Sequence, residues 1–206
     1  MLARRFLEGY MAFLKPATRS GQPRSVPSPL VLLAVVAAGL SARSALAQPF
    51  TDEYPVKAAY ILNFARFVEW PQDNLPASSP ITIAVVGKDP FNGSLEQVLR
   101  GRSANGHTIH LRYVRWNEAL TPYQIVFISA AEEPHLPEIF RHIGNESVLT
   151  VSDIERFSRR GGIIEFSMVG NRVRFDINRS PAMAGRLTIS SKLLTVARAV
   201  HEGTTP

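Results

Sequence analysis

Ile81-Thr82-Ile83-Ala84-Val85-Val86-Gly87-Lys88-Asp89-Pro90 decides the fold. Its first six residues are almost continuously apolar, which predicts a strand covered on both faces and therefore a parallel sheet under helices. Gly87 ends the strand, and Asp89-Pro90 opens a helix to about Leu99. Working outward, the alternation continues. His107 to Val114 reads as a strand after the Asn105-Gly106 turn, Ile125 to Ile128 as a short buried strand, Leu136 to His142 as a helix and Val148 to Val151 as a strand. Ser152-Asp153 caps a helix to about Arg159, which Gly161-Gly162 breaks. Ile163 to Met168 and Arg172 to Ile177 then make a hairpin around Val169-Gly170-Asn171, and a last helix from Ser190 to about His201 turns Leu193, Leu194, Val196, Ala197 and Val200 inward. Upstream, Thr51 and Asp52 are N-cap types and Pro55 sits in a first turn. Val56, Ala59, Tyr60, Asn63, Phe64, Phe67 and Val68 recur at helical spacing until Trp70-Pro71. Glu53 with Lys57 and Arg66 with Glu69 are surface pairs on that helix, each contributing a few tenths of a kcal/mol. The expected fold is α/β: a single domain with a mixed, mostly parallel sheet between helices, closed at one edge by the hairpin and followed by the last helix.

Before this domain lies a different kind of segment. Leu30 to Leu40 is an apolar run preceded by Arg19 and Arg24 and followed by Ala45-Leu46-Ala47, the order of a secretory leader cut after Ala47. Residues 1–47 are therefore read as a signal peptide, with Met11 an alternative start, and 48–206 as the exported domain. The run is short of the roughly 20 apolar residues a membrane span needs, so no insertion of the mature chain is expected. The leader also holds Arg4, Arg5, Lys15, Arg19, Arg24 and Arg43 against Glu8 alone, so five of the six net positive charges of the chain belong to it. The domain is left near +1, and a nucleic-acid partner loses its basis. The chain contains no cysteine. Lipid attachment through an N-terminal cysteine, disulfides and thiol chemistry are all excluded.

The sequence carries no recognised catalytic or metal-binding pattern. The turn Gly87 to Gly93 stands where an α/β protein would hold an anion, but its spacing is neither the dinucleotide fingerprint nor the phosphate loop. His107 and His110 fall on opposite faces of their strand, and His135 and His142 flank a helix with no third ligand, so no metal or cofactor is expected. Ser129 and Ser152 end strands, but no nucleophile elbow surrounds them. Glu132 and Glu133 read as solvated and Asp153 as a helix N-terminal residue. Two features are less bland. Lys192 sits in the first turn of the last helix, against the macrodipole, and either lays its stem on apolar surface or holds an acidic group from elsewhere. Glu69 and Trp70, at the exit of the first helix, are candidates for the rim of a binding surface.

Several blocks, in order, resemble the YfiR family of bacterial periplasmic proteins: Val56 to Pro71, Gly87-Lys88-Asp89-Pro90-Phe91, Val148 to Asp153, Gly161 to Phe166, Asn171 to Asn178 and Ile189 to Leu194. The resemblance implies a non-enzymatic regulator that binds the periplasmic region of an inner-membrane diguanylate cyclase and holds it inactive. Its release would raise cyclic di-GMP and favour biofilm formation. The family resemblance also implies self-association, here as a homodimer. Redox control, which cysteines support in the family's best-known member, does not carry over to a chain without them.

Such a regulator needs a surface, and the late hairpin supplies a candidate in Glu165, Arg172, Arg174 and Asp176, because Arg172 and Arg174 alternate with Val173 and Phe175. The competing reading is an edge hairpin whose charges merely guard against aggregation. A different class of function, a periplasmic small-ligand module acting through another membrane partner such as a histidine kinase, would require a deep apolar pocket near Gly87 or Asn63. A hydrolase would require a base beside Ser129 or Ser152.

Overall fold

Asp52 starts the first helix by accepting a hydrogen bond from the Tyr54 N–H at 3.3 Å. The computed structural model describes residues 52–203; the leader expectation falls on residues outside that range. Helix α1 (Glu53–Phe67) passes directly into the two-residue strand β1 (Val68–Glu69). Then follow β2 (Ile81–Val86), α2 (Ser94–Leu99), β3 (Ser103–Ala104), β4 (His107–Val114) and β5 (Ile125–Ile128). A 3-10 turn (Ala130–His135) leads into α3 (Leu136–Ile143), β6 (Leu149–Ser152) and a second 3-10 turn (Phe157–Arg160). The chain finishes with the hairpin β7 (Ile164–Val169) and β8 (Arg172–Asn178), α4 (Arg179–Ala184), β9 (Thr188–Ile189), α5 (Ser191–Val196) and β10 (Ala199–His201).

The main sheet has the order β10-β8-β7-β6-β5-β2-β4-β3. The pairs from β4 through β2, β5 and β6 to β7 are parallel. β7 with β8 and β3 with β4 are antiparallel, and β10 joins β8 in parallel. The fold is the expected α/β sandwich, mixed and mostly parallel. β2 leads through α2 to β4 on one side and has β5 on the other, so the carboxyl ends of β2 and β5 form the topological switch point of the sheet. Below the sheet, α1 and α2 bury Ile61, Phe64, Leu95 and Leu99 against Ile83, Phe127, Phe166 and Phe175. Above it, α3 and Phe157 cover Val86, Val126 and Ile128. Phe64 and Phe175 meet edge to face at 5.2 Å, and burying each contributes about 1.5–3 kcal/mol.

The structure departs from five local expectations. The inward face of α1 is Lys57, Ala58, Ile61, Leu62, Phe64 and Ala65, whereas Val56 and Ala59 are exposed; the helix is apolar on nearly all sides, so spacing alone fixes its phase poorly. The helix after Asp89-Pro90 begins only at Ser94, because Asn92 and Gly93 take positive φ of 50° and 84°. No helix runs from Ser152 to Arg159. Arg156 at φ +60° kinks the segment, and the Glu165 carboxylate takes the N–H groups of Arg156 and Ser158 that a helix would have used. The last helix ends at Val196, and the hairpin is not the edge. The Arg198 N–H donates to the Phe175 carbonyl at 2.8 Å and draws residues 199–201 into the sheet as β10, leaving Val196 and Val200 exposed rather than inward.

Candidate protein-binding surface

Along β8 the alternation holds: Val173 and Phe175 are buried against α1, and Arg172 and Arg174 stand exposed on the other face. The cross-strand register sets Ser167 opposite Arg174 and Val169 opposite Arg172. Glu165 and Asp176 share that outer face further down the hairpin, but there it is covered. Glu165 is buried and accepts from the N–H groups of Arg156 and Ser158, both at 3.0 Å, and from the Ser158 hydroxyl at 2.6 Å. Asp176, also buried, takes both arms of the Arg198 guanidinium, whose Nε lies 2.7 Å from Oδ1. That carboxylate raises the Arg198 pKa further. These two acids hold the base of the hairpin together, and only its distal half remains open.

At that distal half α1 and the hairpin leave a groove of about 320 Å³, lined by Glu53, Val56 and Tyr60 on one wall and Met168, Val173 and the two arginines on the other. Its surroundings are unusually apolar for a charged rim: Val56 is 37% exposed, Met168 44% and Val169 48%. Among the described residues neither Arg172 nor Arg174 has a carboxylate within ion-pair distance. Two arginines that border the groove, with side chains leaving β8 on its outer face and no acid paired to them among the described residues, suit a protein segment that carries both carboxylates and apolar side chains.

The remaining candidates lie elsewhere. Glu69 is exposed on β1, paired through Thr188, and Trp70 is buried with its indole N–H donating to the Gln124 carbonyl at 3.1 Å. Both lie past the far end of α1, nine and ten positions beyond Tyr60, the last helix residue that lines the groove. Lys192 is exposed in the first turn of α5, and among the described residues its ammonium holds no acidic group. Next to Gly87 the space is filled: a Cβ there would lie 2.3 Å from Glu132 Oε1, so a carboxylate occupies the place an anion would need. The hollow by Asn63 is lined by Arg66, Gln97 and Arg102 together with Ala59, Leu62 and Val98, and is not the apolar pocket a small-ligand module requires. Ser152 Oγ donates to the Ile128 carbonyl and accepts from the Ile154 N–H, and Ser129 Oγ accepts from the Ala131 N–H; among the described residues neither touches a base.

Two polar clusters escape sequence reasoning. Lys57, its side chain 3% exposed, places Nζ 2.6 Å from Asp153 Oδ2 and 3.2 Å from Glu53 Oε1. The Tyr54 hydroxyl donates to the same Asp153 oxygen at 3.1 Å, and burial, reinforced by the Asp153 charge, pushes the Tyr54 pKa well up. Asp153 follows β6 at the carboxyl end of the sheet, which was the one available signal. Elsewhere Ser158, 1% exposed, contacts both Glu165 and the His201 Nε2, the latter at 3.1 Å. In a nucleophile triad the imidazole stands between serine and acid; here the hydroxyl does, and it is a structural tie.

A family model described as YfiR/HmsC-like matches residues 54–198, from the first turn of α1 to the residue before β10. The chain belongs to the YfiR/HmsC-like family. No curated protein matches it. Membership suggests a periplasmic regulator of diguanylate cyclase signalling, in a family that is regulatory rather than catalytic. Among the described residues no helix is long and apolar enough to cross a membrane.

Proposed function

We propose that this protein, exported and cut near Ala47, works in the periplasm as a non-enzymatic repressor: as a homodimer it binds the periplasmic region of an inner-membrane diguanylate cyclase, lowering cyclic di-GMP and biofilm formation. The observation that carries the reading is the groove between α1 and the β7–β8 hairpin, with Arg172 and Arg174 unpaired at its rim, on a chain of this family. Repression requires a difference in affinity between two cyclase states. Swinging an equilibrium from 99:1 active to 1:99 takes about 10⁴-fold tighter binding to the inactive state. Charged and apolar contacts on one surface, not a catalytic group, supply that kind of difference. The test is binding of the exported protein to the isolated periplasmic region of the cyclase encoded beside it, with cyclic di-GMP measured after deletion. Tight binding and a rise in cyclic di-GMP are expected; no binding together with unchanged cyclic di-GMP rejects the reading. A neighbouring gene for a histidine kinase would redirect the partner.

One observation favours the small-ligand alternative. A cavity of about 210 Å³ between α3 and α4, walled by Phe140, Ile143, Val148, Ile163 and Pro181 together with Glu146, Arg160 and Asn178, offers a space of mixed apolar and polar lining away from the groove. Ligand-dependent thermal stabilisation that Ile143→Trp abolishes would support it.

A further inference from the structure

The outer edge of β4 from Ile109 to Val114 is the longest stretch of strand left without a neighbour among the described residues; β7 beyond Glu165 and β8 before Asp176 are open over four residues each. β4 pairs with β2 over six residues, Ile109 to Val114, but with β3 only at His107 and Thr108. Backbone groups along a strand point alternately to its two sides. The Gly87 N–H donates to the Val114 carbonyl at 3.0 Å, so Val114, Arg112 and His110 turn their N–H and C=O toward β2. Ile109, Leu111 and Tyr113 turn theirs outward. Ala104 and His107, paired across the Asn105-Gly106 turn, fit the same parity.

This free segment is centred on Leu111, and its side chains are self-complementary. We propose that β4 is the contact between two copies of this chain, pairing antiparallel with Leu111 facing Leu111 of the second copy and Ile109 facing Tyr113. The proposal rests on the homodimer of the preceding reading and names its interface. Three facing pairs exchange on the order of six backbone hydrogen bonds, two at each pair. On the face toward α2, Ile109 and Leu111 already pack against the core and Tyr113 is 47% exposed, so aromatic–aliphatic pairing extends the core across the junction. β3 limits the pairing, since its Ser103 lies beside Thr108 and the second strand must leave the edge after Tyr113. On the opposite face Arg112 of each copy stands beside His110 of the other, and β4 carries no carboxylate. An edge of this length is short of the roughly 1,200 Å² buried by stable complexes, so the dimer is weak, with a dissociation constant on the order of micromolar.

The test is sedimentation of the exported protein across a concentration series, at low and at high salt, with two substitutions chosen to act in opposite directions. Leu111→Pro removes an outward N–H, which an edge strand tolerates, and is expected to weaken the dimer at least tenfold. His110→Glu sets a carboxylate against Arg112 of the other copy at two symmetric places and is expected to tighten it about three- to tenfold at low salt. If Leu111→Pro fails to fold, His110→Glu alone decides. A dimer that His110→Glu leaves unchanged or loosens overturns the β4 interface while leaving self-association intact. A monomer at every concentration overturns both.

Discussion

Two groups of charged residues flank the first helix and behave in opposite ways. At its inner side Lys57, Asp153, Glu53 and Tyr54 are drawn together and largely removed from water. On the hairpin across the groove, Arg172 and Arg174 face solvent with no partner among the described residues. The first group has its bonding met within the chain, apart from the buried Asp153 Oδ1, so its loss is felt as instability. Among the described residues the second pairs with no acid, so its loss should leave stability nearly unchanged. The same contrast divides the hairpin itself, where Glu165 and Asp176 serve the fold and the arginines four and two residues before Asp176 do not.

The largest break is expected from Asp153→Ala. It strands the Lys57 ammonium in a site where only Glu53 at 3.2 Å remains, and removing one partner of a buried pair costs about 3–5 kcal/mol. Because Glu53 stays, the lower end is expected, read as a lowered urea midpoint with unchanged slope. Cyclase binding by the folded fraction should be unaffected. Next comes the double change Arg172→Glu with Arg174→Glu. Stability is expected to move by no more than about 0.5 kcal/mol, while affinity for the cyclase's periplasmic region falls about 10- to 100-fold. Arg198→Ala should cost about 1 kcal/mol by freeing β10 from Asp176, a modest figure because the guanidinium is itself 46% exposed; amide exchange at residues 199–201 should rise before that of the rest of the sheet. The smallest effect is one of pH. Tyr54 holds its proton in the folded protein past its ordinary value of 10.0, whereas the unfolded chain loses it there. Stability from this group is therefore full below about pH 10 and declines as pH rises above it. Tyr54→Phe should remove that part of the alkaline decline, measured as the difference between the two proteins' urea midpoints from pH 9 to 11.

The strands were the legible part of the sequence. β2 and β5 lie where their apolar runs put them, because a strand buried on both faces leaves a continuous apolar signal, and β4 follows the Asn105-Gly106 turn as a half-exposed strand. The family blocks, too, were present in the sequence, and the match over residues 54–198 agrees with them. Contacts between distant residues were less accessible. Lys57 reads as a surface lysine until Asp153, 96 positions away, is seen to receive it. Residues 197–201 carry a helical spacing that the Arg198–Asp176 pair overrides in favour of a strand. Of the residues nominated for binding, the outward exposure of Arg172 and Arg174 was readable from simple alternation. The burial of Glu165 and Asp176 was not, since it depends on a 3-10 turn and on β10, neither of which leaves a period in the sequence.

The proposed function requires recognition of another protein through an open groove. Its most direct test is titration of the cyclase's periplasmic region with the unsubstituted protein and with the Arg172→Glu, Arg174→Glu variant, both confirmed folded by near-ultraviolet circular dichroism. Saturable binding that the charge reversal weakens at least tenfold is the predicted result. Equal affinity for the two proteins would contradict it.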